Sequence, residues 1–335
     1  MHKRRLNPVV LFAAAPLFIA VTILASVMYG AKSIDVSTIT AAIFHFDTES
    51  IDHQIIVSSR LPRVIGALLI GAFLAVSGAL MQGMTRNYLA SPSIMGVSDG
   101  SVVVITLCMV FLPNTTSLGL IFYSLAGSAL GAGLVFFIAW LLPGGMSPVR
   151  LAILGTIIGT FLGGVSQAVA TYYQVSQTIS FWYNARLHQM DPGMIKLIIP
   201  FAVVGLAIAI ILSKSITILS MGDDVATSLG QRTGWVKALS ILSVVILTGI
   251  SVALAGKIAF VGLLVPHITR FLFGVDYRWV IPCSAVLGGF FLAWCDILSR
   301  FINSPFETPI GVVTALFGVP FFLYLIKTKG GGKHA

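Results

Sequence analysis

Apolar runs long enough to cross a hydrocarbon layer recur along the whole chain, and no other feature restricts its possible folds so strongly. A bilayer span needs roughly 20 apolar residues. Bounded by their polar punctuation, the runs fall at about 8–31, 62–84, 93–112, 116–142, 149–173, 193–214, 235–256, 258–274, 279–300 and 309–327. The eighth is short and carries Pro266. Of the 335 residues, 57% are hydrophobic and 9% are charged, where a soluble domain carries roughly 25% charged residues. A water-soluble core of this size has no use for so much apolar surface. A chain dissolved in lipid does, provided that its backbone groups are satisfied internally. The expected fold is an all-α membrane protein of about ten transmembrane helices. It forms a single polytopic domain over residues 1–335, with no soluble domain, linker or strong internal repeat.

The formal net charge is +9, but the basic residues sit at the ends of apolar runs rather than in a patch. That is the positive-inside bias of a membrane protein and argues against nucleic-acid binding. The basic start His2-Lys3-Arg4-Arg5 precedes an apolar run longer than the roughly 7–15 residues of a signal peptide, so it reads as a retained first helix. With that end in the cytoplasm and ten spans, the Lys and Arg left outside are Lys32, Arg60, Arg63, Arg186, Lys196, Lys257 and Arg300, a minority of 20. Both termini are therefore expected on the cytoplasmic side. Cys108, Cys283 and Cys295 lie within apolar runs without metal-ligand spacing and read as small buried hydrophobes.

Two connections are long. One, Lys32 to Leu61, holds Asp35, Asp47, Glu49 and Asp52. The other, about 218–234, reads as a short helix between Gly222 and Gly230. Asp223 and Asp224 sit in its first turn, where the helix dipole favours acids, and Gly230 suits a C-terminal cap. Such a helix is either a plain surface element or a lever pushed by a partner.

Gly155, Gly159 and Gly163 recur every four residues in the fifth run, a spacing that lets membrane helices approach closely, and Gly127 and Gly131 do the same in the fourth. Beside them Thr156, Thr160, Gly164, Gln167 and Thr171 form a polar stripe. A Gln is costly in lipid, so this side should face protein or water and is a candidate pathway lining, although Thr often satisfies itself on its own helix. In the tenth run Gly311, Thr314, Ala315 and Gly318 share a side that either packs on that helix or lines the same pathway. Asp99 and Asp296, isolated acids within runs, read as structural, and His267 belongs to no metal-binding cluster. The phosphate-loop pattern and the common nucleophile and zinc-hydrolase motifs are missing, so the chain is not expected to be an enzyme or to bind ATP.

Several stretches together resemble one family. They are Arg60-Leu-Pro-Arg63, Gly78-Ala-Leu-Met-Gln-Gly83, Thr85-Arg-Asn87, Ala90-Ser-Pro92 and Ile94-Met-Gly-Val-Ser98. Then follow Gly222 with Leu229-Gly230, Phe260-Val-Gly-Leu-Leu-Val-Pro-His267 with Arg270, and Glu307-Thr-Pro-Ile-Gly-Val-Val-Thr-Ala315 with Gly318. Their kind and order resemble the FecCD-type permeases, the membrane subunits of ferric-siderophore, haem and cobalamin importers. Asn87-Tyr-Leu-Ala90 and Ser91 depart from the Asn-Pro-Leu-Ala and Asp that many relatives carry there.

The resemblance implies the type II ABC importer permease fold in a prokaryotic cytoplasmic membrane. It implies a second permease subunit, identical or homologous, two ABC ATPase subunits that hold ATP and Mg, and an extracytoplasmic substrate-binding protein. By position, Arg60, Arg63 and Arg300 match residues that dock that binding protein. Gly222, Asp223, Asp224, Ala226, Leu229 and Gly230 match the element that couples to the ATPase, and Gly144, Gly145, Met146 and Ser147 occupy the position of the cytoplasmic gate. The expected cargo is a ferric siderophore, with haem or cobalamin next and an ion-coupled secondary carrier as the alternative from another class.

Overall fold

The computed structural model of the chain describes residues 6–30, 32–142, 148–183, 187–303 and 306–330. Every regular element among them is helical. In chain order these are α1 (Pro8–Met28), α2 (Val36–Phe44), α3 (Ile51–Ile55), α4 (Leu61–Thr85), α5 (Val97–Phe111), α6 (Ser117–Leu141) and α7 (Pro148–Tyr172). They continue as α8 (Ser176–Tyr183), α9 (Pro192–Leu219), α10 (Asp223–Ser228), α11 (Thr233–Ala255), α12 (Val261–Phe273), α13 (Tyr277–Ile302) and α14 (Ile310–Gly330). Ten of them coincide with the ten apolar runs. Among the described residues seven stretches are long and apolar enough to cross a membrane, while α5, α12 and α14 supply shorter apolar helices. The segments leading into α5 and α12 are not helical, and irregular backbone at membrane depth is tolerated where protein or a water-filled cavity covers it.

The connection from Lys32 to Leu61 is not a loop. After α2, α3 passes through a π-turn at Ile56–Arg60 into α4, giving one helical stretch, Ile51–Thr85. Ser50 caps it by accepting from the His53 N–H, and residues 51–60 contain neither Gly nor Pro to break it. Its polar residues had hidden a helix that begins before the membrane span. α8, between the fifth and sixth runs, is only eight residues long, too short to stand out as a span.

α4 is the centre of the bundle. Its best apolar window is 78% buried, against 17% for α1, whose Leu17 and Phe18 face outward as lipid-facing residues do. The sequence allows this because Gly66, Gly71, Gly78 and Gly83 punctuate α4. A Cβ on Gly78 would lie 1.9 Å from the Gly262 carbonyl oxygen of α12, and one on Gly71 would lie 2.2 Å from that of Gly288 in α13. α13 runs antiparallel to α4, with Tyr277 beside Gly83 at one end and Asp296 beside Arg63 at the other. Gly127 and Gly131 of α6 pack in the same way against Gly100 and Gly96 at the start of α5. Lipid gives helices no hydrophobic reason to associate, so close packing and interhelical hydrogen bonds must hold them. Ser101 and Ser124 are 2.5 Å apart, Ser124 donates to the Gly249 carbonyl at 2.6 Å, and Thr106 meets Ser166 at 2.6 Å. All three cysteines are free and buried.

Gly78→Ala should therefore destabilise the protein by about 1–3 kcal/mol or more through overpacking, lowering its unfolding temperature in detergent. Gly163→Ala, where an added Cβ has nothing within 4 Å, should cost nothing. Equal unfolding temperatures for the two variants would contradict this packing.

Candidate functional site

At one end of the bundle three arginines converge. Arg63 of α4 donates from Nε to both Asp296 carboxylate oxygens at 3.0 and 3.1 Å, from Nη2 to Oδ1 at 2.9 Å, and from Nη1 to Glu307 Oε1 at 2.6 Å. Arg300, one turn after Asp296 on α13, donates to the same carboxylate and to Ser26 Oγ. The last carbonyls of α1 find few donors on their own helix, as at any helix C-terminus, and that of Met28 also accepts from the Ile34 N–H. Arg300 takes those of Ser26 and Tyr29, and Arg60 takes those of Val27 and Met28 and also that of Lys32. The cluster thus staples α1, α4, α13 and the approach to α14.

These arginines do not form an exposed cationic patch. Arg60, Arg63 and Arg300 are only 8, 8 and 9% exposed. The physical reason is that α1 ends in free carbonyls and Asp296 is buried, so both draw the guanidinium groups inward. Glu307, whose side chain is 44% exposed, is the member of the cluster that meets solvent.

A cavity of about 590 Å³ opens along α7. Thr156, Thr160 and Gln167 line it, as the polar stripe predicts, together with Gly155, Gly159 and Gly163. Gly164 and Thr171 lie off this wall, and Thr171 donates to the Gln167 carbonyl on its own helix. At 100° per residue, position 163 continues the line of 156, 160 and 167 better than 164 does. Thr314 is fully buried and donates to Gly311, so it belongs to the packing rather than to the wall. Gly155 and Gly159 lie against Ile94, Met95 and Asp99, while Gly163 faces open space.

Sequence reasoning missed the charged part of this cavity. Lys257, counted as an outer-loop cation, donates from Nζ to Asp99 Oδ1 at 2.5 Å, and both line the cavity. Asp99 also lies against Gly159, beside the midpoint of α7. Two signals were present in the sequence: an acid inside a span, and a lysine at Gly256-Lys257 where one apolar run is broken from the next.

The opposite end carries α10. Gly222 and Gly230 bracket it at φ +137° and +77°. The Gly230 N–H donates to the Thr227 carbonyl and the Gln231 N–H to that of Ala226, a Schellman stop that requires the left-handed glycine. Ala226 is buried while Leu229 is exposed. Asp224 Oδ atoms are left to solvent, whereas Asp223 pairs with Lys237 of α11 at 2.9 Å and Arg86 at the C-cap of α4 at 3.4 Å. Nearby, Arg270 donates to Gln82, which itself donates to the Gly262 and Leu263 carbonyls, and its guanidinium sits 4.6 Å above the Tyr88 ring. Asp276, the cap of α13, is held below the usual carboxylate range chiefly by its hydrogen bond from Arg278. Gly144, Gly145, Met146 and Ser147 lie outside the described residues.

Comparison with known proteins agrees with this architecture. A family model described as the FecCD transport family matches residues 18–328. The chain is 58% identical to the iron-uptake system permease protein FeuB of Bacillus subtilis (strain 168), covering all of both. It is 50% identical to the iron(3+)-hydroxamate import system permease protein FhuB of the same organism, over 92% of this chain and 80% of that one. A solved metal-chelate type ABC transporter in an inward-facing conformation superposes with a TM-score of 0.81 at 27% identity, covering 96% of this chain and all of that one.

Asp296→Ala would leave Arg63 and Arg300 buried without their shared carboxylate, a loss of about 3–5 kcal/mol. The expected result is a large fall in the unfolding temperature of the purified protein. A wild-type melting curve for Asp296→Ala would refute the bracing role.

Proposed function

The chain belongs to the FecCD transport family, and from that premise we propose that it is the membrane permease subunit of an ATP-driven importer of ferric siderophores. The observation that carries the cargo is full-length 58% identity to a permease named for iron uptake. A second permease subunit, identical or homologous, faces the cavity along α7 and completes a central pathway. Two ATPase subunits and a substrate-binding protein complete the assembly. The chain sits in a prokaryotic cytoplasmic membrane with the arginine end outward. The end that carries α10, the start of α1 and the end of α14 faces the cytoplasm, as the placement of Lys and Arg suggests.

In this reading the binding protein lands around Arg60, Arg63 and Arg300. Their guanidinium groups are already engaged, so an incoming carboxylate gains Arg63 by displacing the solvent-facing Glu307. The ATPase takes α10, through Gly222, Asp223, Asp224, Ala226, Leu229 and Gly230. Movement of α10 reaches α4 and α11 through Asp223 and its two cations. The chelate passes along Thr156, Thr160 and Gln167 without covalent change, and nucleotide chemistry stays on the partner subunits.

In proteoliposomes holding this chain, its ATPase and its binding protein, uptake of the ferric chelate should require internal ATP and ignore dissipation of ion gradients. Uptake that persists without ATP and collapses with the gradient would make the protein a secondary carrier. For docking, Glu307→Gln should tighten association with the binding protein severalfold at low salt, read by surface plasmon resonance, because charge complementarity acts chiefly on encounter. Weaker association would mean that Glu307 itself is the contact.

A further inference from the structure

The Asp99–Lys257 pair joins the first turn of α5 to the segment that leaves α11. It lies beside the midpoint of α7, where a span is furthest from water at either end. Ionisable groups at such depth are costly and are retained where they face a cavity or a pathway. This pair faces one, and the other described residues of its wall are uncharged.

The two members are not equally presented. The Lys257 side chain is 30% exposed and that of Asp99 is 8%. Asp99 is covered from the α7 side, with Oδ2 only 2.9 Å from where a Cβ on Gly159 would stand. The cavity therefore meets the ammonium first. Lys257 also comes from the non-helical segment 256–260, which begins at Gly256 with φ +71°. A point charge on a flexible four-carbon stem can turn from one oxygen partner to another without rebuilding a helix.

We propose that Lys257 is the cavity's contact for an anionic, oxygen-rich iron chelate, and that Asp99 is the counter-charge that holds it when the cavity is empty. The inference rests on the importer reading and adds the sign of the charge that the pathway favours. Lys257 releases one carboxylate oxygen, engages the chelate's anionic oxygens, and returns to Asp99 when the chelate leaves. A cationic cargo would meet the ammonium and be disfavoured.

The test uses the full complex in proteoliposomes with a single binding protein and two probes, a ferric tris-catecholate, which is a multiply charged anion, and an uncharged ferric trihydroxamate. Lys257→Gln should lower uptake of the anion about tenfold relative to wild type and change the uncharged chelate less than about twofold. Lys257→Arg should keep the preference for the anion. The exchange Asp99→Lys with Lys257→Asp restores an ion pair but presents the carboxylate, so anion uptake should stay low; a merely structural pair would recover both probes and overturn the proposal. Basal ATP hydrolysis reports that each complex is assembled. Equal losses for both probes, no loss for either, or a wild type that carries only the uncharged chelate also overturns it while leaving the importer reading intact. A wild type that carries neither probe sinks the importer reading and this inference together.

Discussion

Backbone atoms of α12 and α13 lie where a Cβ on Gly78 or Gly71 of α4 would have to stand. In lipid the helices have no hydrophobic drive to associate, so dispersion contacts at close range carry the packing. Four glycines on α4 permit that approach from several sides at once. They make α4 a buried helix inside a membrane protein, and the other helices take their positions from it. α13 follows it antiparallel and α12 crosses at its lower half. α5 and α6 repeat the same device through Gly100, Gly127 and Gly131.

Polar groups then finish what the glycines begin. A helix ending inside the bundle leaves carbonyls that cannot be abandoned in a low-dielectric surround. α1 ends against α4 and α13, and Arg60, just before α4, and Arg300 of α13 take up its final carbonyls. Asp296 lies between Arg63 and Arg300 and balances part of their charge. At the other end of α4, Arg86 reaches Asp223 of α10. One continuous helical stretch thus connects the arginine cluster with the short helix proposed to meet the ATPase. In the proposed assembly these are the two places where partners would act, and a helix shared between them needs few intermediates to relate one to the other.

The cavity along α7 differs from both ends. Its wall is made of hydroxyls, an amide, glycines and one ion pair, and α7 remains widely exposed above it. That combination suits a surface closed by another subunit and wetted from within. Strong permanent contacts would trap a cargo, whereas weakly polar walls let it pass. The ion pair is the exception, and its exposed lysine gives the wall a sign that the hydroxyls lack.

The sequence alone determined that the chain is helical and lives in a membrane, because uninterrupted apolar runs admit few other solutions at this length. It located all ten principal helices, the glycine stop of α10 and the polar stripe through Thr156, Thr160 and Gln167, since these are local patterns set by helix periodicity and by φ preference. The helix hidden in residues 51–60 escaped because polar residues interrupt its apolar ones, although nothing in them breaks a helix. Only the tertiary structure decided where the charges went. Arg63 meets Asp296 across 233 positions and Lys257 meets Asp99 across 158. No local pattern encodes such pairs. They arise when glycine contacts bring distant helices close enough for buried charges to require one another.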